Sequence, residues 1–261
     1  MASDTDYGPW VRALRASHDK LSGIVAGLDA DDLRKQSYAK DWSIAQVLSH
    51  LGSGAEIALL NLNAGLTGGD PPKQEDYQAI WDVWNARSPQ DQAAESIAAN
   101  EALVERIESL SQEQLDAFRA AMFGMTLDAT TVMRMRLSEH AVHTWDVAVA
   151  LDPSARVAPY AIDLLIDGMS PMMRWMGKQA ADPQVIAITT TEPARTFTLD
   201  TGGVTMTPGT GDAEASGSLD LTAEALLRLV YGRVDDSAVA SGEVQASDVD
   251  LADLRVVFPG F

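Results

Sequence analysis

The feature that most restricts the fold is a change of pattern near Asp152-Pro153. Before it, apolar residues recur at helical spacing; beyond it, short runs rich in Thr, Val and Ile lie between Pro and Gly. Helices gathered in one half and strands in the other do not make an alternating α/β weave. The pattern points to a two-domain α+β chain, with a helical bundle over 1–153 and a small α+β domain over 154–261. A length of 261 residues suits one large or two small domains.

In the first half, Val11, Leu14, His18, Leu21, Val25 and Leu28 advance in steps of three and four, one stripe of an amphipathic helix. Ser43-Ile44-Ala45-Gln46 is a capping box that starts a second helix, whose buried face is Ile44, Val47, Leu48, Leu51, Ala55, Ala58 and Leu62. The Gly- and Pro-rich segment 65–73 reads as a loop. Tyr77, Trp81 and Trp84 then recur at helical spacing, Ser88-Pro89 opens a further helix, and 128–151 is a long helix without internal Gly or Pro. Four or more helices in a bundle bury these stripes. In the second half, 185–191, 196–199, 204–207 and 239–244 read as strands, and 222–231 and 248–258 as helices. Met169, Met172, Met173 and Met176 read as core filling.

Composition narrows the chemistry. With no cysteine and four histidines, a metal site must use His, Asp and Glu. The 38 acidic and 19 basic side chains give a formal charge of −19, and Lys and Arg are nowhere clustered, so nucleic acid is not an expected partner. The first residues, MASDTDYGPWVRALR, include acidic groups and no apolar run of signal-peptide length, and no run of roughly 18 apolar residues occurs anywhere. The expectation is a cytoplasmic protein without membrane contact, a monomer or weak homodimer.

The histidines fall where two helices can bring them together. Residues four apart on a helix project side by side, so Glu139 and His143 face the same way, on a stripe with Val132, Arg136, Asp146 and Ala150. An inward carboxylate and imidazole are costly to bury unless paired or bound to a cation. Two helical ligands and a third from another helix suit zinc or a neighbouring transition metal and leave one position open. His50 is the natural third, with Gly54 one turn on leaving room beside it; His140 with His143 is the alternative pair. His18 has no acidic or His neighbour at ligand spacing and reads as structural. Asp146 is placed to accept the remaining imidazole N–H of His143 or to form an ion pair within the bundle, and Arg136 to orient Glu139 or to lie on the surface.

The residues Trp42-Ser43-Ile44-Ala45-Gln46-Val47-Leu48-Ser49-His50-Leu51 and Arg136-Leu137-Ser138-Glu139-His140-Ala141-Val142-His143-Thr144-Trp145-Asp146 resemble the mycothiol-dependent maleylpyruvate isomerase family, within the DinB-like four-helix bundles. Residues 219–233 and the following SGEV resemble that family's C-terminal domain, itself similar to sterol carrier proteins. The resemblance implies that His50, Glu139 and His143 hold a divalent metal, usually zinc. It implies that the metal binds and ionises mycothiol, whose thiolate isomerises a maleylpyruvate-like cis double bond or is transferred to an electrophile. It makes Arg233 the candidate cation for a dicarboxylate substrate; the alternative for Arg233 is an interaction with the C-terminal dipole of helix 222–231. Two other functions stay open: a non-catalytic small-molecule binding protein, and a hydrolase with zinc-bound hydroxide.

Overall fold

Helix starts in the first half are set by side chains that satisfy orphan N–H groups. In the computed structural model of the protein, which describes residues 5–122, 124–209, 215–235 and 237–260, helix α1 spans Gly8–Val25 with Pro9 in its first turn. Helix α2, Ile44–Thr67, opens with the capping box: Ser43 Oγ accepts from Gln46 N at 3.3 Å, and Ser43 N donates to Gln46 Oε1 at 2.8 Å. Helix α3 is Gln74–Asn85, and α4, Pro89–Glu108, is capped by Ser88. A short α5, Gln112–Ala117, precedes a hairpin of β1, Ala120–Met122, and β2, Met125–Leu127. Helix α6, Ala129–Val149, is capped by Asp128, whose Oδ1 accepts from Thr131 N at 2.8 Å.

The chain divides into two compact units, Met1–Ala155 and Arg156–Phe261. In the first, α2 packs along α4 and against α6, and α1 packs along α6 and α4, which closes a four-helix bundle. The core face of α2 is the one its stripe predicts, with Ile44, Val47, Leu48, Leu51 and Ala55 fully buried. Helix α3 seats on α2 because Gly52 has no side chain. A Cβ there would lie 2.1 Å from the ring of Trp84, itself 1% exposed.

Two features depart from expectation. The 65–73 segment is only partly a loop: α2 continues through Gly65 and ends at Gly68, which takes φ +65°. Gly65 serves close packing, since a Cβ would come within 2.6 Å of the Phe118 ring. The hairpin at 120–127 interrupts what reads as an all-helical half; it turns at Gly124, φ +74°.

In the second unit, α7 (Pro159–Leu165) and α8 (Ser170–Met176) precede a sheet of β3 (Val185–Thr191), β4 (Arg195–Asp200), β5 (Thr205–Pro208), β6 (Gly217–Thr222) and β7 (Val244–Ser247). The order is β5-β4-β3-β6-β7; only β3 and β6 run parallel, joined in register from Ile186 opposite Gly217 to Thr191 opposite Thr222. Alternation places Ile186, Ile188, Phe197, Leu199, Leu219 and Leu221 inside. Helix α9, Ala223–Val230, packs on β3 and β6 and against α7; its buried Glu224 and Arg228 neutralise each other at 2.9 Å. The strand expected over 239–244 is displaced: α10 occupies Ser237–Ala240, Gly242 turns at φ +77°, and β7 starts at Val244. Helix α11 is Leu251–Val257. Met169, Met172 and Met173 are buried. No helix among the described residues is long and apolar enough to cross a membrane.

Candidate metal centre

Within the bundle, α2 carries His50 and α6 carries Glu139 and His143 toward each other. Glu139 Oε2 lies 3.3 Å from His50 Nε2 and 3.6 Å from His143 Nε2. The imidazoles meet edge to face, with centroids 4.7 Å apart. All three donor atoms lie within 4.8 Å of one another, the one such cluster among the described residues. A tetrahedral ion with bonds of about 2.0–2.1 Å separates its ligand atoms by roughly 3.3–3.4 Å, so the donor spacing and the N, N, O chemistry fit a divalent ion. His143 is fully enclosed, whereas His50 and Glu139 remain about one-third exposed.

Each donor is held by its neighbours. Asp146, with no exposed surface, accepts from His143 Nδ1–H at 2.8 Å. That bond fixes the ring and leaves Nε2 facing Glu139. The Trp42 ring stands 5.1 Å from His50 and 6.1 Å from His143.

The charges are coupled. Burial opposes the ionisation of Glu139, but the close approach of His143 and the hydrogen bond with His50 outweigh it and hold the carboxyl well below its usual range. Burial likewise opposes charge on His143, yet the hydrogen bond to Asp146 and the nearby Glu139 carboxylate raise it to about 9. His50 shifts the other way, because burial outweighs its bond to Glu139.

His140 turns elsewhere: buried, it shares Nδ1 with Ser17 Oγ of α1 at 2.7 Å, and burial keeps it neutral. It is absent from the donor cluster. His18 does have an acidic neighbour, one that spacing along its own helix does not reveal: its Nε2 meets Glu101 of α4 at 2.6 Å.

Arg136 is half-buried and does not hydrogen-bond Glu139. Its Nη2 donates to the Leu51 carbonyl at 2.9 Å and to Asn100 Oδ1. Beside these groups opens a cavity of about 230 Å³. His50, Asn61, Glu139 and Arg136 supply its polar wall, and Ile57, Met122, Val132 and Met135 its apolar one. Met122 comes from the hairpin. Asn100 and Trp42 escape the motif search as functional residues: Asn100 sits in an ordinary polar helix sequence, and Trp42 belongs to the motif without a role that spacing reveals.

Arg233 lies in the second unit and is buried. Its Nη1 donates to the Tyr231 carbonyl at the C-terminus of α9, the interaction that a helix end favours for a cation. A cavity of about 430 Å³ in the same unit, bordered by Arg156, Asp163, Glu192 and Glu224, holds no such donor cluster.

Residues 14–148, from α1 to the end of α6, match the family described as Mycothiol maleylpyruvate isomerase N-terminal domain. The chain belongs to that family. Its fold is also that of a solved mycothiol-dependent maleylpyruvate isomerase, with a TM-score of 0.68 over 95% of both chains at 14% identity. A His-to-Ala variant of that enzyme matches at TM-score 0.67 and 16% identity over the same share of each chain. Among curated proteins, a provisionally named metal-dependent hydrolase of Geobacillus thermodenitrificans (strain NG80-2) is 32% identical over 76 residues, 29% of this chain and 43% of that protein. The match thus spans less than half of that relative.

Proposed function

We propose that this member of the mycothiol maleylpyruvate isomerase family is an enzyme in which His50, Glu139 and His143 hold a divalent ion, zinc by donor type, and mycothiol is the thiol cosubstrate. The reaction is cis-trans isomerisation of a maleylpyruvate-like acid, or transfer of the thiol to an electrophile. The observation that carries this reading is the convergence of three donors from α2 and α6, two of which, His50 and Glu139, border a cavity, with Asp146 behind the third. When bound, the ion would supply positive charge that favours the anionic form of a thiol near neutral pH.

The chain's own residues do the rest. Asp146 keeps His143 in one tautomer and one orientation. Glu139, ionised across the physiological range, offsets the positive charge of a bound cation. His143 is enclosed, so the site meets solvent through the partly exposed His50 and Glu139. With no cysteine, the chain offers no thiolate of its own and depends on an external one.

The test is metal analysis joined to a thiol-dependence assay. Purified protein should carry about one divalent ion per chain, lost in His50→Ala and His143→Ala, and should turn over maleylpyruvate only with mycothiol. Protein that stays metal-free after zinc incubation removes the reading. The hydrolase relative favours a second one, zinc-assisted hydrolysis on the same residues; turnover of an ester or amide without thiol would select it.

A further inference from the structure

The cavity beside the donor cluster contains a cation that the bundle does not neutralise. Arg136 projects from α6 one turn before Glu139. Both of its hydrogen-bond acceptors, the Leu51 carbonyl and Asn100 Oδ1, are neutral. No carboxylate among the described residues forms an ion pair with it, and Glu139 turns to the two histidines instead. Even a half-buried charge without a counter-ion is costly beside a bundle interior. Burial accordingly lowers the guanidinium pKa to about 10, against the pull of Glu139.

The guanidinium is nevertheless fixed and open on one edge. Nη2 is held by α2 and α4 through its two acceptors. Nη1 makes no hydrogen bond, yet it is not among the buried polar atoms sealed from solvent. It faces the space that Gly54 leaves on α2, where a Cβ would stand 3.1 Å from it. Gly54 and Arg136 both border the cavity. At about 230 Å³ the cavity falls below the roughly 300 Å³ at which drug-sized sites begin, which suits a small metabolite. A chain of net charge −19 repels anions at long range, so a local cation must decide whether an acidic substrate stays.

We infer that Arg136 is the carboxylate-binding residue of this cavity, holding an acid group of the substrate beside His50 and Glu139, the latter one helical turn along α6. It is thereby the residue that selects acidic over neutral substrates. Asn100 keeps this cation unspent by offering it an amide oxygen where an aspartate would neutralise it. The inference rests on reading the cavity as the active site.

The experiment uses the full chain freed of metal by chelation, with maleate as the probe and dimethyl maleate as its uncharged counterpart. Calorimetric titration and thermal denaturation are run on the native chain, Arg136→Gln and Asn100→Asp. Maleate should raise the melting temperature of the native chain and bind it at least tenfold more tightly than Arg136→Gln. Asn100→Asp places a carboxylate at the atom Arg136 already contacts, so it should lose maleate binding by a similar factor. Dimethyl maleate should not distinguish the three proteins. Maleate binding within twofold in the native chain and Arg136→Gln, or undiminished in Asn100→Asp, overturns the inference. Should Arg136→Gln fail to fold, Asn100→Asp alone decides. Zinc uptake, measured separately, should persist in Asn100→Asp; a native chain that takes no zinc defeats the proposed function, while the maleate comparison still decides the role of Arg136.

Discussion

Asp146 acts on His143 in two opposed ways, and Asp146→Asn separates them. With a metal bound, the carboxylate orients the ring and raises its basicity, and losing such a partner typically weakens metal binding about 10- to 100-fold, or roughly 1.4–2.7 kcal/mol. Without metal, the same carboxylate stabilises a proton that competes for the ring. The hydrogen bond to Asp146 raises the His143 pKa to about 9, so freeing the ring at pH 7 costs on the order of 3 kcal/mol. Asparagine removes the Asp146 share of that competition and leaves the Glu139 share. The zinc-binding defect of Asp146→Asn should therefore be largest near pH 9, where little proton competition remains, and smaller at pH 7. Competition against a chromophoric chelator at both pH values reads it directly. A defect that is equal at the two pH values, or larger at pH 7, refutes the argument, as does native affinity at pH 9.

Three further outcomes follow from packing and charge. Gly52→Ala should destabilise the bundle by about 1–2 kcal/mol in urea denaturation. The roughly 1 kcal/mol helix-propensity gain is outweighed by overpacking, because the buried Trp84 ring must retreat from 2.1 Å to ordinary contact; a variant as stable as the native chain contradicts this. Arg15 hydrogen-bonds Glu101 and Glu108, and those bonds chiefly lower both carboxyl pKa values. Their stabilisation is complete above the unfolded value near 4.3 and lost as pH falls through the folded values. Arg15→Met should thus cost about 1 kcal/mol at pH 7 and progressively less as pH falls below about 4.3; a constant cost defeats the assignment. Burial lowers the pKa of His18 despite Glu101, so the unfolded chain takes up a proton that the folded one resists. Stability present above about pH 6.5 is then lost on acidification, and His18→Gln should flatten the native decline between pH 7 and 5. An unchanged slope shows that His18 has no part in it.

Much of the bundle was legible because local chemistry and tertiary packing agree. Ser43 with Gln46, Ser88 before Pro89, and the unbroken run 128–151 each announce a helix through groups that lie within four residues. The hairpin was not legible, since three-residue strands carry no alternation to count. Gly65 misled for a different reason: glycine signals a turn from sequence alone, but here the cause is the distant Phe118 ring. Residues 217–222 escaped as a strand because LDLT merges into the helix signal that follows. In the site, Glu139 and His143 could be paired by helical spacing and His50 by its helix face. Asn100 could not, because its burial and its bond to Arg136 arise only once α4 and α6 both pack against α2.

The helix that supplies Asn100 supplies none of the three donors, which come from α2 and α6. The element that sets the charge balance of the cavity is thus heritably separable from the elements that hold the ion. If Arg136 is the carboxylate-binding residue, one amide-to-acid exchange on α4 would change which compounds are accepted, with α2 and α6, the helices proposed to hold the ion, unaltered. Acceptance of acids and retention of an ion would then vary independently.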